Sequence, residues 1–272
     1  MARRIPPVFL EKVWGSPDIE PWFPARPGLT GEVWFQIEPP LSLLTKFLFT
    51  TDRLSVQVHP NDQQAQARGL ENGKTEMWHV LRARPDSTIA LGFRHELTLE
   101  QARAAALSGE IVDLLDWIPV RAGDTFFVNA GTVHAIGAGI AICEIQQNSD
   151  TTYRLYDYGR DRPLHLEDGF AVSHLRPWQP QPAPQAIDTV WSRLVTAEYF
   201  ATDLGRLDTP CHLKPAGAYR LLVILEGAGL MAGQPYAAGE CWLIGDAEPA
   251  ITIVPTAPTR ILRTGPPSPL LS

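Results

Sequence analysis

At 272 residues, 44% hydrophobic and only 19% charged, the chain is long enough for one large or two modest globular domains. Its formal net charge of −7 argues against nucleic acid and anionic membranes as partners, since either calls for a basic face. No apolar run reaches the roughly 18 residues of a membrane span, and Met1-Ala2-Arg3-Arg4 leads into Ile5-Pro6-Pro7 rather than a secretory signal, so the expected location is the cytoplasm.

The 21 glycines and 25 prolines punctuate short β-branched and aromatic runs, which predicts a mainly β protein of many strands and tight turns. Residues 8–14 read as a first strand, and Trp14-Gly15 opens a proline-rich loop. Strands over Glu32–Ile37, Ser42–Thr50 and Leu54–His59 follow. In the last of these, alternation with Val56 and Val58 turns Ser55, Gln57 and His59 onto one face, either half-exposed or lining a polar pocket. A polar segment with Ala65, Ala67 and Leu70 at loose helical spacing leads to a strand Glu76–Arg82, on which Glu76, Trp78 and Val80 share a face and His79 points the other way. Thr98 and Gln101 have capping-box spacing ahead of Ala102, Ala105 and Ala106, the one convincing helix. A short helical turn is expected over Ile111–Leu115.

Strands return at Trp117–Val120, Thr125–Asn129 and Ala141–Gln147, with His134 in a loop between the last two. On Ala141–Gln147, Ile142, Glu144 and Gln146 share a face, and two polar groups on so apolar a strand need partners or a wet cavity. The stretch 149–162 is too polar for a core strand and reads as a solvated loop or a binding rim. Residues 176–189, with prolines at 177, 180, 182 and 184, read as a linker. The expected units are therefore 1–175 and 190–272. The second is a smaller set of strands short of ligand-type residues, with His212 its only histidine. Cys143, Cys211 and Cys241, odd in number and without a Cys-x-x-Cys pair, read as buried reduced thiols.

Gly227-Ala228-Gly229-Leu230-Met231-Ala232 formally fits a dinucleotide-binding glycine fingerprint. Gly233 and Pro235 leave no room for the helix it needs, so the expectation is a hairpin turn. The ligand set is stronger. Zinc takes neutral imidazole nitrogen and carboxylate oxygen at about 2.0–2.2 Å. His59, Glu76 and His134 offer two imidazoles and a carboxylate, with Gln57 as an amide-oxygen fourth. Because these lie on separate strands, spacing alone leaves open that they never meet.

One local pattern narrows the choice: Gly123, five residues, Asn129-Ala130-Gly131, two residues, His134. Apart from Asn129 in place of a proline, it resembles the second motif of the cupin barrels, whose histidine is a metal ligand. The first cupin motif is matched less well, with Gln57-x-His59 for His-x-His and Glu76 far downstream. That departure, together with Leu54 to Pro60, Gly73 to Trp78, Val133 to Gly139 and Gln147 to Asp157, resembles the type I phosphomannose isomerases in their short bacterial form. The resemblance covers roughly residues 10–175. It implies a cupin jelly-roll barrel followed by a smaller, degenerate cupin-like β unit and a few short helices.

The same resemblance implies a Zn²⁺ enzyme interconverting mannose 6-phosphate and fructose 6-phosphate, with Gln57, His59, Glu76 and His134 as metal ligands. It makes Arg154 the arginine beside the reacting carbons, Glu144 the candidate base, and Ser55 and Arg160 the phosphate contacts. Lys74, two residues before Glu76, falls on the same strand face if the strand already runs there, which would bring its ammonium to the sugar oxygens. The implied partner is a small sugar phosphate, and no oligomeric state is implied. Two other readings stay open: a cupin isomerase for another sugar phosphate such as glucose 6-phosphate, and a non-catalytic metal-binding cupin that senses a sugar phosphate.

Overall fold

The computed structural model describes residues 2–267, so Met1 and 268–272 of the expected units lie outside the described residues. In chain order the elements are β1 (Arg3–Ile5), β2 (Pro7–Ser16), β3 (Thr30–Phe35), β4 (Leu43–Phe49), β5 (Val56–Val58), α1 (Asp62–Gln66), β6 (Glu76–Ala83) and β7 (Thr88–Phe93). Then come α2 (Leu99–Ser108), α3 (Ile111–Leu114), β8 (Leu115–Pro119), β9 (Thr125–Val128), β10 (His134–Ile136), β11 (Ile140–Gln147), β12 (Tyr153–Tyr156) and α4 (Leu166–Val172). The second half holds β13 (Gln185–Ala186), β14 (Trp191–Thr196), β15 (Ala201–Leu207), β16 (Cys211–Leu213) and β17 (Arg220–Glu226). It ends with β18 (Ala228–Met231), β19 (Gln234–Ala237), β20 (Cys241–Ile244), β21 (Ile251–Pro255) and β22 (Thr259–Gly265). Among the described residues no helix is long and apolar enough to cross a membrane.

The strands form two jelly-roll sandwiches. In the first, the sheet β2-β3-β4-β11-β6-β9 faces the sheet β12-β5-β10-β7-β8. Trp78, Val80, Phe126 and Ile142 of the one sheet and Ile89, Leu91 and Ile136 of the other fill its apolar interior. In the second, β1-β20-β17-β22-β15-β14-β13 faces β16-β21-β18-β19 over an interior that includes Leu222, Ile224, Trp242, Ile253 and Ile261. The outer face of the first barrel's six-stranded sheet is apolar as well. Val33, Phe35, Phe47, Phe49, Met77 and Ile145 join Leu194, Leu204, Leu221, Val223 and Leu262 of the seven-stranded sheet in one cluster, so the barrels stand back to back on a shared core.

The capping box at Thr98 and Gln101 is formed, and Gly109 at φ +88° ends that helix. Three local readings change. Residues 3–5 pair with β20 of the second barrel, Ile5 opposite Cys241, because Pro6 breaks the strand and Ile5 finds its apolar cover in the shared core. The proline-rich stretch, read as a linker, runs along the first barrel. Its Trp178 Nε1 donates to Phe127 O at 3.0 Å, while the Gln181 amide accepts from Phe127 N and donates to Thr125 O, satisfying the open edge of β9. His134 opens a three-residue strand instead of sitting in a loop, opposite Gln57 and Leu91. Gly227, at φ +90°, carries the chain from one sheet of the second barrel to the other, and the true hairpin turn is Ala232-Gly233 between β18 and β19.

Candidate metal centre and active site

Register builds the site. Across the six-stranded sheet, Trp34 lies opposite Lys46, Lys46 opposite Glu144, Glu144 opposite Trp78 and Trp78 opposite Phe126, a single row on the interior face. The next row carries Glu76 opposite Gln146. Across the five-stranded sheet, Arg154, Gln57 and His134 form one row. The rows meet around a cavity of about 380 Å³, lined by Ser55, Gln57, Lys74, Glu144, Arg154 and Arg162 and walled by Trp14 and Trp34.

Behind Gln57 and Lys74, which line the cavity, the ligand atoms of His59, Glu76 and His134 lie within 4.8 Å of one another, all three residues buried. His59 Nε2 is 3.7 Å from Glu76 Oε2, and His134 Nε2 is 3.6 Å from Glu76 Oε1. Donors about 2.1 Å from a tetrahedral ion stand roughly 3.4 Å apart, so the set fits a small divalent cation. Both imidazoles give Nδ1 to a backbone carbonyl, His59 to Thr151 at 2.8 Å and His134 to Thr132 at 2.9 Å. A carbonyl only accepts, which fixes Nδ1–H and leaves the Nε2 lone pair for a metal. Burial holds His134 down at about 4, and burial with the Lys74 charge holds His59 well below the usual histidine range, so both are neutral, as ligands must be. Of the two buried Glu76 oxygens, Oε2 meets the Lys74 ammonium and Oε1 has no hydrogen-bond donor. A buried carboxylate facing two imidazole lone pairs is what a cation satisfies.

Gln57 Nε2 stands 3.2 Å from His134 Nε2, and Ser55 Oγ donates to Gln57 Oε1 at 3.3 Å. A half-turn of the amide presents oxygen to the metal position instead. Lys74 Nζ pairs with Glu76 Oε2 at 2.9 Å and lies 3.1 Å from His59 Nε2. Burial works against the Lys74 ammonium, but Glu76 and Glu144 outweigh it and hold its pKa above the ordinary lysine value.

The partners of Glu144 are Lys46, at 3.4 Å, and Trp78, whose Nε1 donates to Oε2 at 3.1 Å. Burial, then the Glu76 charge, push its pKa up, with Lys74 and Lys46 opposing. Arg154 lines the cavity, half-buried, with Nη1 donating to Pro163 O. Arg160 does not line it. Its guanidinium donates to Asp52, Asp157 and the Arg53 carbonyl. Arg162, two residues on, does line the cavity and is held by the same Asp157 through Nε at 2.6 Å and Nη2 at 2.7 Å. Pairing of β12 with β5 sets Arg154 opposite Gln57.

The sequence reading missed Lys46, whose signal was a lone charge within the apolar run Leu43–Phe49. It is 4% exposed, its Nζ 4.3 Å from the Trp34 ring centre. It also missed Glu32 and Lys12, which pair at 3.5 Å at the far end of the cavity.

No family model matches the chain. Among curated proteins it is 39% identical to mannose-6-phosphate isomerase ManA of Bacillus subtilis over 71% of this chain and 64% of that protein. It is 40% identical to the mannose-6-phosphate isomerase of Streptococcus mutans over 69% of this chain and 61% of that one. The chain thus spans less than two thirds of the length of the curated relatives it matches. Among solved structures, the mannose 6-phosphate isomerase from Bacillus subtilis superposes with a TM-score of 0.86 at 24% identity, covering 96% of this chain and 98% of that one. A mutant phosphomannose isomerase from Salmonella typhimurium gives 0.77 at 16% identity, covering 98% and 100%. At those identities the structural likeness is one of fold. The chain is thus similar in sequence to curated mannose-6-phosphate isomerases over about 70% of its own length, and it shares the fold of the solved ones.

Proposed function

We propose that the protein is a mannose-6-phosphate isomerase that uses zinc to interconvert mannose 6-phosphate and fructose 6-phosphate. The observation that carries this reading is the buried His59, Glu76 and His134 triad, touched by Lys74 and Gln57, which line a cavity together with Glu144 and Arg154. A bound zinc, held by that triad with Gln57 as fourth ligand, would supply fixed positive charge against the negative charge that develops on the sugar oxygens. Glu144 removes the proton from C2 and returns it to C1 by way of an enediol, its carboxylate held by Trp78 Nε1 on one oxygen and by the Lys46 ammonium on the other. Arg154 holds an oxyanion without giving up its proton. Lys74, kept protonated by Glu76 and Glu144, donates to a sugar oxygen during ring opening. Ser55 and Arg162 take the phosphate at the cavity wall, while Arg160 braces Asp157, which aims Arg162. A sensor would need affinity alone, and this acid–base set would be superfluous in it.

The test is turnover by purified protein before and after chelation and zinc return, on mannose 6-phosphate with glucose 6-phosphate alongside. Activity on mannose 6-phosphate only, lost with the metal and restored by zinc, is the expected result. Zinc-loaded protein that converts neither sugar overturns the isomerase reading in favour of a binding protein.

A further inference from the structure

The second barrel has a polar end of its own. On β17, Arg220 shares a face with Leu222 and Ile224, which belong to the barrel's apolar interior. Arg263 of β22 lies opposite Leu222 and so joins that face, its guanidinium 4.1 Å from the centre of the Trp191 ring. Between these two arginines and the segment from His212 to Pro215 is a cavity of about 270 Å³ that shares no lining residue with the metal-centre cavity.

Arg220 is 4% exposed. Its Nη2 donates to the Lys214 carbonyl at 2.6 Å, but its buried Nε has no hydrogen-bond partner, and no carboxylate pairs with it among the described residues. The acids nearby are already engaged. Asp188 Oδ1 accepts from the backbone N–H groups of Val190 and Trp191, and Asp203 is shared by Arg263, through Nε and Nη2, and Arg193. Three fixed cations, Lys214, Arg220 and Arg263, therefore line the cavity against one carboxylate, Asp188, an excess of two in a chain of net charge −7. A guanidinium buried without an anion is unfavourable, and burial followed by the neighbouring Arg263 already lowers the Arg220 pKa.

We infer that the mouth of the second barrel binds a small oxyanion of the phosphate class, which accepts from Arg220 Nε and from Arg263 Nη1, with Lys214 closing the site from the solvent side. The excess of two positive charges matches a group carrying about −1.5 to −2 near neutral pH better than it matches a carboxylate. The ligand is either inorganic phosphate or a phosphate monoester.

Calorimetric titration of the zinc-loaded full chain with inorganic phosphate tests this. The wild type should bind a second phosphate per chain that Arg220→Gln removes, with kcat/KM on mannose 6-phosphate unchanged. If Arg220→Gln fails to fold, Lys214→Ala, at an exposed side chain, should weaken the same class of site roughly tenfold. Repeating the titration with mannose 6-phosphate in the Arg162→Ala background separates the sources: roughly tenfold tighter binding of the monoester marks an ester site, and equal binding marks a free-phosphate site. A single phosphate per chain, weakened by Arg162→Ala and untouched by Arg220→Gln or Lys214→Ala, overturns the inference.

Discussion

Both barrels are antiparallel jelly rolls, yet they treat their interiors in opposite ways. The second fills most of its interior with Leu222, Ile224, Trp242, Ile253 and Ile261. The first gives up one end of its interior to Lys46, His59, Lys74, Glu76, His134 and Glu144, none more than 5% exposed. Burying so many ionisable groups is costly even when they are paired. Here each lysine faces a carboxylate, and the sheet that carries most of them is backed by the apolar cluster between the barrels. The comparison teaches that the scaffold sets positions and the side chains set the chemistry.

The contrast is broken most severely at the metal triad. Glu76→Gln should strip most bound zinc and lower turnover by at least roughly a thousandfold, checked by metal content alongside kcat; a variant with full zinc and full turnover would remove Glu76 from the ligand set. Arg154→Ala should keep its metal and lose about 10²–10³-fold in kcat, and near-normal kcat there means the oxyanion is held by another group. Next comes the phosphate end: Arg162→Ala should raise KM for mannose 6-phosphate roughly 10- to 100-fold with little change in kcat. Arg160→Ala should move KM less, because its guanidinium is spent on Asp52 and Asp157. In the second barrel, Leu222→Ala should cost about 2–5 kcal/mol of unfolding free energy while metal content and kcat stay intact; loss of metal in that variant would mean the barrels are coupled beyond their shared stability.

The smallest effect sits where the barrels meet. His79, on the outer face of β6, bonds Thr125 Oγ1 at 2.9 Å and lies 3.3 Å from Arg260 of the second barrel. Burial, then the Arg260 charge, bring its pKa from 6.5 down to about 3. Below about pH 6.5 the unfolded chain takes up this proton first, so the stability His79 contributes is complete above that pH and is lost as pH falls toward 3. Urea midpoints measured at pH 7 and pH 5 should differ less in His79→Gln than in the wild type, and an equal difference in the two would show that His79 does not sense pH.

The sequence by itself determined which residues share a strand face, because side chains alternate with period two whatever the strand pairs with. That placed Ser55 with Gln57, Glu144 with Gln146 and Glu76 with Trp78, and local capping chemistry placed the helix at Thr98. The spacing of His59, Glu76 and His134 carried the metal centre through resemblance, since no periodicity relates three separate strands. Only the tertiary structure decided what each face meets. Lys46 faces Glu144 although they stand on strands far apart in the chain, Arg162 rather than Arg160 lines the cavity, and Trp178 and Gln181 bond the edge of β9. Each of these depends on hydrogen-bond register and edge pairing between segments far apart in the chain. Local alternation fixes a residue's face and leaves its partner to the fold.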